Sequence, residues 1–127
     1  MKENKIVVEI DKPAAEVYAF YINPLNTPKW IDSIKVEKTS EWPIRIGTIY
    51  RNQDINGAEM EYRVTDLKEN ELFELTSKDG GYHVRYMHKA LGDGKSELEY
   101  YEWVEKGEIE KPFTKDILLK LKQMVEK

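Results

Sequence analysis

Eight tyrosines stand against three phenylalanines and two histidines in this chain of 127 residues, and there is no cysteine. A phenol on the wall of a hollow interior can orient a ketone, carboxylate or amide, and an imidazole beside it can accept a proton. Buried tyrosine hydroxyls need a partner, and where the interior has space that partner is a ligand or an ordered water. The same residues would also suit the rims of an ordinary sheet. Tyr62 lies on the apolar face of AEMEYRVTD, where Met60, Tyr62 and Val64 alternate with Glu59, Glu61, Arg63 and Thr65. Tyr50, Tyr86 and Tyr100 are expected to face inward in the same way. His83 and His88 are five apart in YHVRYMHKAL, which places them on opposite faces of a regular strand and argues against a joint metal site. His88 shares parity with Tyr82, Val84 and Tyr86, so it is the inward one. The candidate ligand-binding set is therefore Trp30, Tyr50, Tyr62, Tyr86, His88 and Tyr100, with His88 and Tyr86 the candidates for acid–base catalysis.

The carboxylates are less promising. Glu59, Glu61, Glu97 and Glu99 alternate with apolar residues and should lie outside, where nothing prepares them for proton transfer. Glu102 is the exception, because it shares parity with Leu98, Tyr100 and Val104. A carboxyl buried there needs a partner, and Arg85 is the expected one, reached through an irregular register. Arg63 and Arg85 could hold an acidic ligand head group near a mouth, but they are expected rather to balance neighbouring glutamates across strands. Neither GxxxxGK nor GxGxxG occurs, no Ser/His/Asp set stands out, and the glycine pairs at 79–81 and 92–94 read as hairpin turns. No cofactor and no metal are expected.

These residues must be held by strands. KIVVEI alternates with Ile6, Val8 and Ile10 on one face. Asp11 and Pro13 mark a helix start, and Asn23-Pro24 its end. PLNTPKWI forms a second, short helix, with Thr27-Pro28 as cap and first position, and Leu25, Trp30, Ile31 and Ile34 as its apolar contacts. From residue 33 onward the period is that of strands: SIKVEKTS with Ile34 and Val36 inward, then IGTIYRNQD, AEMEYRVTD, ELFELTSK, YHVRYMHKAL and SELEYYEWVEKG. Their short polar links, with Asp54 and Asn56 as turn residues, call for an antiparallel meander. IEKPFTKDILLKLKQMVEK ends the chain as an amphipathic helix of about 15 residues, roughly 22 Å long. The expected architecture is α+β: a bent seven-stranded antiparallel sheet around a C-terminal helix, in the order β-α-α-β6-α. It forms one domain, residues 1–127.

The formal charge of −4 comes from 20 basic and 24 acidic side chains. That balance makes nucleic acid an unsuitable partner, since phosphate binding needs a concentrated basic surface. The start MKENKIVVEI lacks the apolar run of a secretory signal, and nothing approaches a spanning helix, so a cytoplasmic protein without membrane insertion is expected. The outer face of the sheet reads as charged and finely mixed, without an apolar patch. Oligomeric state is left open.

The initial strand KIVVEI, the helix opening PAAEVYAFYINP, the Trp-containing PKWIDSI, the glycine and aromatic of IGTIY and the strand EMEYRVTDL together resemble the START-like superfamily. This group is also called Bet v 1-like, or the polyketide cyclase/dehydrase and lipid-transport group (SRPBCC). The resemblance implies a helix-grip fold enclosing an elongated apolar cavity. It implies no universal catalytic residues, and so transfers a container and not a reaction. The leading expectation is binding of a small, mostly apolar molecule (a lipid, polyketide-like or aromatic compound) between sheet and terminal helix. The alternatives are a polyketide cyclase- or dehydratase-type enzyme using Tyr and His groups, and a chaperone-associated protein-binding module working through the sheet's outer face.

Overall fold

The alternation of KIVVEI becomes the edge strand β1 (Glu3–Ile10) in the computed structural model, which describes residues 1–127. Two helices follow, α1 (Ala14–Ile22) and the single turn α2 (Thr27–Trp30). Six strands then run as a meander: β2 (Ile34–Thr39), β3 (Ile49–Asp54), β4 (Glu59–Lys68), β5 (Leu72–Ser77), β6 (Tyr82–Gly92) and β7 (Lys95–Val104). The chain closes with α3 (Lys115–Glu126). Every strand pair is antiparallel, and the seven strands form one curled sheet in the order β1-β7-β6-β5-β4-β3-β2. This is the helix-grip arrangement read from the sequence. At the β6–β7 hairpin, Asp93 and Gly94 both have positive φ, 49° and 74°, the mirror-image turn whose twist matches the flanking strands.

One face of the sheet carries the core, where Val8, Ile10, Val64, Leu98 and the rings of Phe73, Tyr86 and Tyr100 meet Val17, Tyr21, Trp30, Leu118 and Leu121 from the helices. No helix is long and apolar enough to cross a membrane.

Several local expectations are corrected. Asp11 does not cap α1: Pro13 itself stands at the N-cap, and Asp11 pairs with Lys95 at 3.5 Å. Thr27 is not a cap but the first residue of α2, its hydroxyl turned into the interior. Leu25 contributes no apolar contact to the core and is 77% exposed, because α2 begins only after it. In β2 the alternation breaks. A bulge between Ile34 and Val36 adds one residue, so Val36 turns out and Glu37 turns in.

The terminal helix is also shorter than expected, 12 residues or about 18 Å. It starts only after Thr114, whose side chain accepts a hydrogen bond from the Ile117 N–H, so Pro112 and Phe113 belong to the preceding loop. With Leu118 and Leu121 fully buried, α3 packs over β1, α1 and α2. From the loop at 105–114, Ile109 is buried and Phe113 packs against the core.

Candidate functional site

A cavity of about 1130 Å³ lies under the sheet. Its floor is formed by inward residues of β3 to β7, its sides by Thr27 and Trp30 of α2, and its roof by Ile109 and Phe113 of the loop before α3. No residue of α3 lines it. The expected position between sheet and terminal helix is thus corrected: the short helix leaves half the sheet to α2 and the loop. Exposed residues at one end, among them Lys78, Asp79, Lys106 and Glu110, join the cavity to the surface.

Five of the six expected ligand-binding residues line this space: Trp30, Tyr50, Tyr62, Tyr86 and Tyr100. Strand register brings them together, since Tyr50 faces Tyr62 across β3 and β4, and Tyr86 faces Tyr100 across β6 and β7. Tyr86 and Tyr100 meet edge to face at 5.2 Å, and Trp30 stands edge-on to Tyr86 at 6.4 Å. Phe73 joins them on β5, 5.6 Å from both Tyr50 and Tyr86. The Tyr50 hydroxyl donates to the Ile22 carbonyl at 2.6 Å, which ties the end of α1 to the sheet. Burial pushes the phenols of Tyr50, Tyr86 and Tyr100 well up, and that of Tyr62 up to about 12. They form cavity walls and keep their protons near neutrality, and those of Tyr50 and Tyr62 already donate within the protein.

His88 faces inward as its parity required, but it does not line the cavity. Its Nε2 lies 2.7 Å from the Tyr21 hydroxyl, and the two rings are nearly parallel. The shallow pocket bordered by Val7, Met87, Lys89, Glu97 and Glu99 lies on the other face of the sheet, where the residues on either side of His88 point. Tyr86 and His88 therefore do not share one site, because two residues along β6 carry His88 past the end of the cavity. Its Nδ1 is buried without a partner, and burial depresses its pKa to about 4. A base with a depressed native pKa stabilises the fold fully above the unfolded value near 6.5 and loses that contribution as pH falls toward 4. Unfolding in urea at pH 7 and pH 5 should show wild type losing about 1–2 kcal/mol more than His88→Gln over this interval. Equal losses in the two proteins would remove His88 from the acid response. Glu37 acts in the opposite sense in both proteins, since a raised carboxyl pKa gives stability that fades as pH rises.

Glu37 was hidden from the sequence. The bulge in β2 turns it inward to 9% exposure on the cavity wall. The Thr27 hydroxyl donates to its Oε1 at 2.6 Å and the Asn52 Nδ2 to its Oε2 at 3.2 Å. Burial raises its pKa, and those two hydrogen bonds offset the rise only in part. Alternation from Ile34 would put Glu37 outside with Lys35, so only the three-dimensional register reveals it.

Glu102 is completely buried, as its parity implied, but Arg85 is not its partner. Its Oε1 accepts from the Tyr82 hydroxyl at 2.5 Å. Its Oε2 accepts from Asn4 Nδ2 and from the Phe113 N–H, both at 2.8 Å. Arg85 points to the other face, where its guanidinium lies 5.3 and 5.5 Å from the rings of Tyr101 and Trp103. Trp103 also stacks on His83 at 4.8 Å. The outer face thus bears an aromatic ladder among its charges, a correction to the uniform mixture expected. Glu61 is outside and paired with Arg51 at 2.8 Å, which takes the part expected of Arg63. No group of three or more His, Asp or Glu side chains is placed to hold a metal ion.

No protein-family model matches the chain, and no curated protein matches it. Solved structures do. Protein CV1439 from Chromobacterium violaceum is similar with a TM-score of 0.72 at 19% identity, covering 100% of this chain and 99% of that one. The Aha1 dimer from Colwellia psychrerythraea has a TM-score of 0.72 at 14% identity, over 99% and 97% of the two chains. XoxI from Bacillus cereus has a TM-score of 0.72 at 14% identity, over 98% and 96%. At such identities the likeness is one of fold: a curled antiparallel half-barrel closed by a C-terminal helix.

Proposed function

We propose that this domain is a START-like container that binds a small, mostly apolar molecule in the cavity beneath its sheet. The observation that carries this reading is the cavity itself. At about 1130 Å³ it is slightly larger than the usual span for small-molecule sites, about 300–1,000 Å³. Its inner walls are the rings of Trp30, Tyr50, Phe73, Tyr86, Tyr100 and Phe113, with a few phenols and one carboxyl as polar fixings.

Nile red, a neutral dye that brightens on leaving water, tests this directly. One dye should saturate each chain, and Val84→Trp, which builds an indole onto the cavity floor, should weaken binding at least about tenfold while the circular dichroism stays native. Leu75→Trp, on the neighbouring strand, should do the same. A dye signal that is absent, or that survives both substitutions, would show that the cavity is not the binding place.

A second reading has one observation behind it. Glu37 is a proton acceptor on the cavity wall with a raised pKa, so an acid–base enzyme built on this fold would use Glu37 with Tyr86, and not His88 with Tyr86. Turnover lost in Glu37→Gln and kept in His88→Gln would support it; the reverse pattern would dismiss it.

A further inference from the structure

The inner cavity has hydrogen-bond acceptors without a matching cation. The Glu37 carboxylate uses two of about four lone-pair sites on Thr27 and Asn52. Asn52, its cross-strand neighbour on β3, is 8% exposed, and its Oδ1 has no hydrogen-bond partner. Both residues line the cavity, whereas no arginine or histidine does. The lysines of the lining, Lys78, Lys106 and Lys111, are all exposed residues. They are outnumbered there by carboxylates, since Asp54, Asp79, Glu110 and Glu108, the last paired with the terminal ammonium of Met1, also belong to the lining.

We propose that the cavity selects an apolar molecule bearing an amine or ammonium group, with the nitrogen donating to Glu37 and the body lying among the aromatic rings. A carboxylate ligand of the same shape would meet Glu37 with no interior cation to compensate, and a buried unpaired charge is costly. An ammonium instead answers the lone pairs of the Glu37 carboxylate that Thr27 and Asn52 leave free. It also gains from nearby ring faces, where cation–π attraction strengthens as water is excluded. The closeness of Glu37 to those rings is seen in the phenols of Tyr50, Tyr62 and Tyr86: burial is the first cause of their raised pKa values, and the Glu37 charge is the next.

This inference rests on the cavity reading above, and the two can fail separately. Decylamine, decanol and decanoate share one chain and differ in the head group, so each can be titrated against bound Nile red. Decylamine should displace the dye at least about tenfold more tightly than either of the others in wild type. In Glu37→Gln, which keeps the side chain's shape, that advantage should shrink to about twofold or less. If decanoate or decanol equals decylamine in wild type, or if the preference persists undiminished in Glu37→Gln, the amine assignment is wrong although the container stands. If Nile red never enters the cavity, the container reading falls first and the amine assignment with it.

Discussion

Replacing Glu102 by alanine should destabilise the protein by about 3–5 kcal/mol, because one carboxyl satisfies three donors in a place without water. Those donors come from three separate parts of the chain: Asn4 on β1, Tyr82 on β6 and the Phe113 backbone before α3. The substitution leaves all three short of an acceptor and opens a void at a site that is 0% exposed. Asn4 also donates to the Phe113 carbonyl at 2.9 Å, a bond that loses its support when the carboxyl goes. In a small domain that unfolds in one step, the loss should appear as a melting temperature lower by more than about 10 °C. Glu102→Gln keeps an acceptor and should cost about 1–2 kcal/mol. A urea titration in which the alanine variant lost less than about 1 kcal/mol would mean that water entering the site takes over as acceptor.

The second large effect is expected at Trp30. It is 2% exposed and wedged edge-on between Tyr86 and Phe113, 6.4 and 6.1 Å away. Its helix has only four residues, far below the length at which a helix holds itself in water, so packing must hold α2 in place. Trp30→Ala should cost about 3–5 kcal/mol and should also weaken Nile red binding, even though it enlarges the cavity. The reason is that α2 supplies Thr27, which holds the Glu37 carboxyl. Trp30→Phe tests the packing argument separately. The indole Nε1 has no partner, so removing it forfeits no hydrogen bond, and the loss should stay below about 1.5 kcal/mol. A phenylalanine variant as unstable as the alanine one would point to an unrecognised role for the indole nitrogen.

What could be read from the residues beforehand follows where periodicity is regular. β4 alternates as far as the bulge after Val64, which puts Tyr62 and Val64 on their proper side. β7 carries apolar residues on both parities, so the inward place of Leu98, Tyr100 and Glu102 is less legible there, while the short polar links fix the meander. The inward parity of Tyr82, Val84, Tyr86 and His88 held as well. What parity does not carry is distance along the strand. His88 lies inside the fold yet beyond the cavity, because Tyr21 from α1 occupies the place between, and no local pattern shows where a helix will cross a strand. Glu37 escaped for a different reason: one added residue reverses the faces downstream of it, and IKVEKT gives no sign of an insertion. The partners of Glu102 were missed because Asn4 and Phe113 lie 98 and 11 residues away in sequence. The cavity's walls were misjudged in turn, because Thr114 delays the start of α3 and hands half of the roof to a loop.

The bulge in β2 has one more effect. β2 is one of the two edges of the sheet, and an edge is a row of unpaired backbone groups on which another chain can add a strand and begin to aggregate. A six-residue strand with lysines at 35 and 38 and an interruption after Ile34 is a poor template for such pairing. The residue that swings a carboxyl into the interior is thus also the one that keeps foreign strands off the edge. Binding chemistry and colloidal safety share a single insertion here, and the chain is not free to tune either of them alone.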